Sequence, residues 1–373
     1  MILEGQTAYY SKYMILTNDP NVKKLYNYTT MQEISIEDFT LGGASYNPVE
    51  DREGKIYYIT DVTLHRNGEL LSQIDTSNLI KNPLYYDSKT DSLWLASFES
   101  NFAVKFLVFK NPSAATSNTN PSTILYDDSY YLNNSFSCQA FAVKEDNIYI
   151  AYNNSNILLT KKNNSSNTEA TITLSSITPT LSGEVTDMAV LEDGTVAVLV
   201  RSIGVTSETK VFDYTVLNDK DTVYSRGALV LLSSDLSKVE KVLGWTDSAR
   251  TISATGEDTE NPVKEWTSIT AYIPEYEERN SHFYGPMRIV AIRPKELVIA
   301  DCGANFVLPD YDGKKNGKIY AHNRLMTVNL RNFAIGCKKE FSESELKFKN
   351  LVISGGIEAT SSSPYYGNYV DEK

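Results

Sequence analysis

"FAVKEDNIYIAY", Phe141–Tyr152, sets a short apolar run against an alternating aromatic and aliphatic run, with a charged turn between them. Two strands joined by a tight polar turn read as a β-hairpin. The stretch decides the fold because it recurs. "DMAVLEDGTVAVLV" from Asp187 and "IVAIRPKELVIADC" from Ile289 repeat the same plan. Each copy has an apolar strand ending in Ala plus a β-branched residue, then four turn residues: Lys144–Asn147, Leu191–Gly194 and Arg293–Glu296. Each then resumes with a β-rich run: Ile148–Tyr152, Thr195–Val200 and Leu297–Cys302. Gly, Pro, Asn and Asp suit the turns because they supply or tolerate turn backbone angles. Continuous apolar runs such as Leu297–Ala300 mark strands buried on both faces. The spacing therefore predicts burial of Val143, Ile148, Ile150, Val190, Val198, Val290 and Val298.

Looser copies lie upstream: "NPVEDREGKIYYITDV" from Asn47, "NPLYYDSKTDSLWLASF" from Asn82 and a degenerate "YYSKYMILTND" from Tyr9. A further hairpin follows several copies, as in "TLHRNGELLSQI" from Thr63 and "GALVLLSSDLSKVEKVL" from Gly227. Each unit thus has about four strands, the size of a propeller blade. The expectation is an all-β, β-propeller fold with six blades. Seven is the alternative, because the step from Ala189 to Ala291 is about twice the usual spacing. Residues 1–373 read as one propeller domain with long insertions near 203–225 and 246–283 and a flexible tail from about 356. Leu346–Ser354 is the expected ring-closing strand, and Phe341–Phe348 the one weakly helical stretch.

The hairpins "AVKEDNIYIAY" and "AVLEDGTVAVL" resemble those of NHL-type and YncE-like β-propellers, as does "GPMRIVAIRPKELVIADCG" with its small-Asp ending. The resemblance implies the propeller architecture. It does not imply a function, because one fold hosts many.

A formal net charge of −12 speaks against nucleic acid or an anionic membrane surface as the main partner. No apolar run is long enough to span a membrane. The first ten residues, "MILEGQTAYY", show neither a basic region nor a long apolar stretch, so no leader is expected within the chain. With 25 Tyr and frequent Asn, Ser and Thr, the composition favours an extracytoplasmic setting, periplasmic or cell-surface, with the cytoplasm as the alternative. Asn27 and Asn164 begin N-x-[ST] triplets, which arise by chance in Asn-rich chains. Of the 3 Cys, Cys302 and Cys337 can pair only if their strands are neighbours; buried thiols are the plainer reading.

No H-x-x-x-H, G-x-S-x-G or H-E-x-x-H pattern occurs, so no catalytic residue, cofactor or metal is expected. "DYDGKKNGK", Asp310–Lys318, has alternating Asp310 and Asp312 but lacks the EF-hand glycine position and carries two lysines, so a plain hairpin loop is expected. His65, beside the Arg66-Asn67-Gly68 turn, reads as a solvated hairpin residue, and His322, after "GKIYA", as a strand residue. His282, in "ERNSHFYGP", precedes an inner strand and can border the channel. The second insertion and its flanks hold Trp245, Trp266, Tyr272, Tyr276, Arg279 and Tyr284, residue types that recognition surfaces favour. Packing of the insertion onto the propeller is the plainer account of them. Asn47, Asn82, Gln139 and Asp187 lie near inner-strand starts and are candidate channel-mouth residues. The functional expectation is a non-enzymatic binding or scaffold module, an exported bacterial protein or lipoprotein ectodomain. It would act as a monomer on an unidentified protein, small-molecule or glycan ligand. The alternative is a metal-assisted lactonase, hydrolase or lyase with its site at the central channel.

Overall fold

The computed structural model describes residues 10–11, 14–19, 22–27, 32–34, 49–60, 63–74, 78–99, 103–127, 137–154, 157–163, 168–205, 223–245, 249–252, 269–272, 280–307 and 318–340. All the strands are paired antiparallel with their neighbours, and most of the chain is organised in successive four-stranded meanders. Blade I comprises β5 (Val49–Glu50), β6 (Ile56–Thr60), β7 (Thr63–Arg66) and β8 (Glu69–Gln73). Blade II comprises β9 (Leu79–Asp87), β10 (Ser92–Phe98), β11 (Ala103–Lys110) and β12 (Ser122–Asp127). Blade III comprises β13 (Ser137–Lys144), β14 (Asn147–Asn153), β15 (Ile157–Asn163) and β16 (Thr168–Thr173). Blade IV comprises β17 (Glu184–Val190), β18 (Val196–Val205), β19 (Val223–Leu232) and β20 (Val239–Leu243). Blade V comprises β23 (Pro286–Arg293), β24 (Glu296–Val307), β25 (Lys318–Asn329) and β26 (Ile335–Glu340).

Among the described residues the chain is therefore a β-propeller of five blades, not six or seven. The five recognisable copies of the hairpin are the five inner hairpins: β5–β6, β9–β10, β13–β14, β17–β18 and β23–β24. The degenerate copy at Tyr9 is not a hairpin. Its first part, β1 (Tyr10–Ser11), pairs with Ile292 and Ala291 on β23 and also touches β5. Its second part, β2 (Met14–Asp19), pairs forward into a smaller three-stranded sheet with β3 (Val22–Asn27) and β4 (Gln32–Ile34). A strand pair between β21 (Ala249–Ile252) and β22 (Ile269–Tyr272) occupies part of the wide step that suggested a seventh blade. The expected closing strand Leu346–Ser354, the stretch Phe341–Phe348 and the tail from 356 lie outside the described residues.

Burial grades from the axis outward. β14 is buried at all five positions from Ile148 to Tyr152, and Val196–Val200 of β18 likewise, which explains the unbroken apolar runs there. The fourth strands β12, β16 and β20 are mostly exposed or half-buried. Val143, Ile148, Ile150, Val198, Val290 and Val298 are buried, while Val190 is half-buried. One core spans blades II to V and a second joins blades I and II. Cys302 faces Asn323 on β25 and Cys337 faces Met326 on the same strand, so β25 separates the two cysteines. Strands two apart stand about 10 Å from each other, beyond a disulfide's reach.

Burial pushes the phenols of Tyr57, Tyr85, Tyr86 and Tyr149 above the ordinary tyrosine range, Tyr149 up to about 12. Tyr57 also donates to Asp51, which favours its protonated form. These groups bind protons more tightly folded than unfolded. Their contribution is complete below the unfolded value of about 10 and is lost as pH rises through the folded values. Urea midpoints measured at successive pH should therefore fall between pH 10 and pH 12, a window set by Tyr149. A flat midpoint across that range would contradict the burial of these phenols.

Candidate functional site

Alternation of strand direction gives the disc two unlike faces. The first-to-second and third-to-fourth strand connections share one face, and most of the described ones are short turns such as Lys144–Asn147, Leu191–Thr195 and Ser233–Lys238, the longer exception being 111–121 of blade II. The second-to-third strand and blade-to-blade connections share the other. At that face β18 and β19 run on, pairing Val205 with Val223, before the chain continues through 206–222. β24 and β25 extend likewise to the Val307–Lys318 pair, around 308–317. The passage from blade IV to blade V, from Thr246 to Asn280, leaves and rejoins there too, and its β22 packs against β18 and β19.

Toward the same ends of these strands lies a seam of buried charge at blades IV and V. It is built on β-bulges, which re-aim side chains at strand ends. The inner strands β13, β17 and β23 each carry one at the same place, at Gln139, Thr186 and Met287. Thr186 Oγ1 donates to the Pro286 carbonyl (2.7 Å), and Met287 Sδ accepts from Arg201 Nη1 (2.9 Å). Gln139 Nε2 donates to Ser137, while its buried Oε1 has no hydrogen-bond partner among the described residues. Just past the bulges stand Asp187 and Arg288, 3.7 Å apart. Asp187 also accepts from the amides of Met188 (3.0 Å) and Ile289 (2.9 Å), so one carboxylate ties two blades.

The last inner-hairpin position also carries buried polar groups, one of which crosses blades. Asn153, Arg201 and Asp301 each face the first residue of their inner strand. Asn153 donates to the Gly183 carbonyl of the next blade (2.8 Å), and Arg201 pairs with Glu184 (2.5 Å). Asp301, fully buried, accepts from the amides of Tyr284 (3.1 Å) and Gly285 (2.7 Å) and is paired with Arg324. Arg324 donates on to the His282 carbonyl (2.9 Å) and lies 4.1 Å over the Tyr284 ring. Burial alone would lower the pKa of Arg324, but Asp301 and Tyr284 among its neighbours together outweigh it and the net shift is upward. A second guanidinium, Arg226, stacks 3.6 Å over Trp245.

Of the expected site residues, Trp245, His282, Tyr284 and Asp187 meet at this seam. Gln139 lies one blade away, and Asn82 is on β9, in the irregular stretch between the pairings of Leu79 and Leu84. Tyr272 is on β22, opposite Ala249. Asn47, Trp266, Tyr276, Arg279, Asp310 and Asp312 lie outside the described residues. His65 stacks on Tyr58 with ring centres 5.3 Å apart, and His322 faces Gly303 on β24. Sequence reasoning missed Glu184, Arg201, Arg226, Arg288 and Arg324. The available signal was a polar residue closing each apolar run at the same offset.

The seam's chemistry is structural. Asp187 and Asp301 are wholly buried, and each faces an arginine and holds backbone amides. A general acid or base must reach a substrate proton, which these carboxylates do not. Near the short-turn face, the Val190 amide of blade IV donates to the Tyr85 hydroxyl of blade II (3.4 Å), past blade III. Among the described residues, no group of acids, histidines and cysteines is arranged to hold a metal, and no helix is long and apolar enough to cross a membrane.

Residues 159–350 match the family described as the TdpA C-terminal domain. No curated protein matches the chain. Among solved structures, a protein of unknown function from Bacteroides caccae shares 10% identity, with 93% of this chain and 98% of that one covered at a TM-score of 0.48. A putative TolB from Agrobacterium tumefaciens shares 7% identity, with 89% and 90% covered at a TM-score of 0.42. Neither likeness bears on function.

Proposed function

From the premise that this chain belongs to the TdpA C-terminal domain family, we propose that it is a non-enzymatic propeller that binds a partner through the face bearing its long segments. One observation carries this reading: the long second-to-third and blade-to-blade connections of blades IV and V leave their strands at one face, where the buried charges are committed to pairs within and between those blades. Loops on a rigid scaffold are where binding residues concentrate. Trp245 under the Arg226 guanidinium is a ready aromatic anchor at that rim. The commitment of Asp187 and Asp301 to arginines and backbone amides argues against the channel-site enzyme. An exported bacterial setting belongs to the same proposal and rests on composition alone.

The test removes residues 253–268, between β21 and β22, and joins the strands with a short Gly-Ser turn. The substitution stops well before Phe283, which is fully buried and bridges to Gly227. Loop length has little effect on closure entropy, so the melting temperature should change by a few degrees at most. Partners cross-linked to the parent chain should no longer be captured. Unchanged capture by the shortened chain, or turnover of lactone or ester substrates on adding a divalent metal, would refute the reading.

A further inference from the structure

The opposite face also carries a concave surface, at one junction. Around that face the turns of successive blades are bridged. Arg52 of blade I donates to Asp91 of blade II (2.7 Å), the Glu145 amide of blade III to Asp87 of blade II (3.2 Å), and Lys144 to the Leu191 carbonyl of blade IV (2.7 Å). At the next junction, between blades IV and V, a cleft of about 580 Å³ opens between the turns. Ligand pockets span about 300–1,000 Å³. The floor is apolar: Leu191, Leu231 and Ile292 are buried, and Leu330 and Phe333 half-buried.

The two walls differ in charge. Blade IV brings Glu192, Asp193 and Glu240, and blade V brings Arg293 and Arg331. Arg293 is paired with Glu296, whereas neither Glu192 nor Arg331 forms an ion pair among the described residues. Phe333 is held in the left-handed region at φ 59, where a bulky residue is an outlier. The turn enforces this. The Phe333 amide donates to the Asn329 carbonyl, the Arg331 and Asn332 amides to Asn329 Oδ1, and the Ala334 amide to Asn332 Oδ1. Gly or Asn would sit there at lower strain, so the aromatic ring itself is what the position retains. Lys241 of blade IV lies 5.1 Å over that ring, so the ring already faces a cation.

We propose that this cleft binds an extended peptide segment carrying a basic, an apolar and an acidic residue in succession. The basic side chain meets Glu192, the apolar one lies on Leu330 and Phe333, and the acidic one meets Arg331. Charge complementarity selects this occupant: two walls of opposite sign across an apolar floor match a segment bearing both signs. The surface lies on the face opposite the long segments, so it stands or falls independently of the binding face proposed above.

The probe is the terminally blocked tetrapeptide acetyl-Lys-Leu-Phe-Glu-amide, titrated calorimetrically into the full chain. Saturable binding is expected, weakened at least about tenfold by Glu192→Lys and by Phe333→Gly. Phe333→Gly relieves the backbone strain but also removes a half-buried ring packed against the core, so its melting temperature should change by a few degrees at most while binding is lost. A packing role for the ring would instead lower the melting temperature by more than that and leave binding intact. The proposal is overturned by no saturation at millimolar peptide, or by binding that neither variant moves. Concentration-dependent sedimentation abolished by Glu192→Lys would also overturn it, by assigning the cleft to a second copy of the chain.

Discussion

Asp301→Ala should lower the stability of the propeller by about 3–5 kcal/mol, because it strands the Arg324 guanidinium in the core. Arg324 is 1% exposed and Asp301 fully buried, so water cannot replace the lost partner. The amides of Tyr284 and Gly285 lose their acceptor in the same step. Urea unfolding of the single variant measures the effect. The double variant Asp301→Leu with Arg324→Met is the companion, since replacing both charges by apolar groups of similar volume is often near neutral. A single variant within about 1 kcal/mol of the parent would mean the pair is solvated and the seam is not a dry junction.

Gly183→Ala should destabilise by about 3 kcal/mol or more, through two penalties of about 1–3 kcal/mol each. Gly183 has φ +109, a region that L side chains rarely adopt. An added Cβ would also stand 2.0 Å from the Arg201 carbonyl oxygen, a backbone atom that cannot swing aside. The Gly183 carbonyl accepts from Asn153, so the damage falls on the junction of blades III and IV. Thermal unfolding followed by circular dichroism reads this directly. A variant that melts with the parent would show that the chain before β17 relaxes freely.

The inner hairpins were legible because their physics is local. Strand, turn and strand are specified within about a dozen residues, and the continuous apolar runs of β14, β18 and β24 reflect burial on both faces. The count of blades failed where pairing is not local. Tyr10-Ser11 looks like the start of another hairpin, yet its partner is Ile292-Ala291 at the far end of the chain. The seam was half legible for a related reason. Trp245, His282 and Tyr284 stood out as aromatic or titratable residues in a loop-rich stretch. Arg201, Arg288 and Arg324 sit inside strands: strand register within a blade sets Glu184 opposite Arg201 and Asp301 opposite Arg324, and only the ring of blades brings Asp187 beside Arg288.

The pairing of β1 with β23 also sets the order of events as the chain leaves the ribosome. Blades II, III and IV can each stack on the one before, since they contact mainly sequence neighbours. Tyr10 and Ser11 must wait until Ala291 and Ile292 have been synthesised, so the disc stays an open arc through nearly all of translation. During that time the flank of blade I, and the latest blade to form, leave apolar sheet uncovered. A translational pause or a truncation anywhere before blade V would prolong that exposure, which makes such incomplete chains natural clients for chaperones.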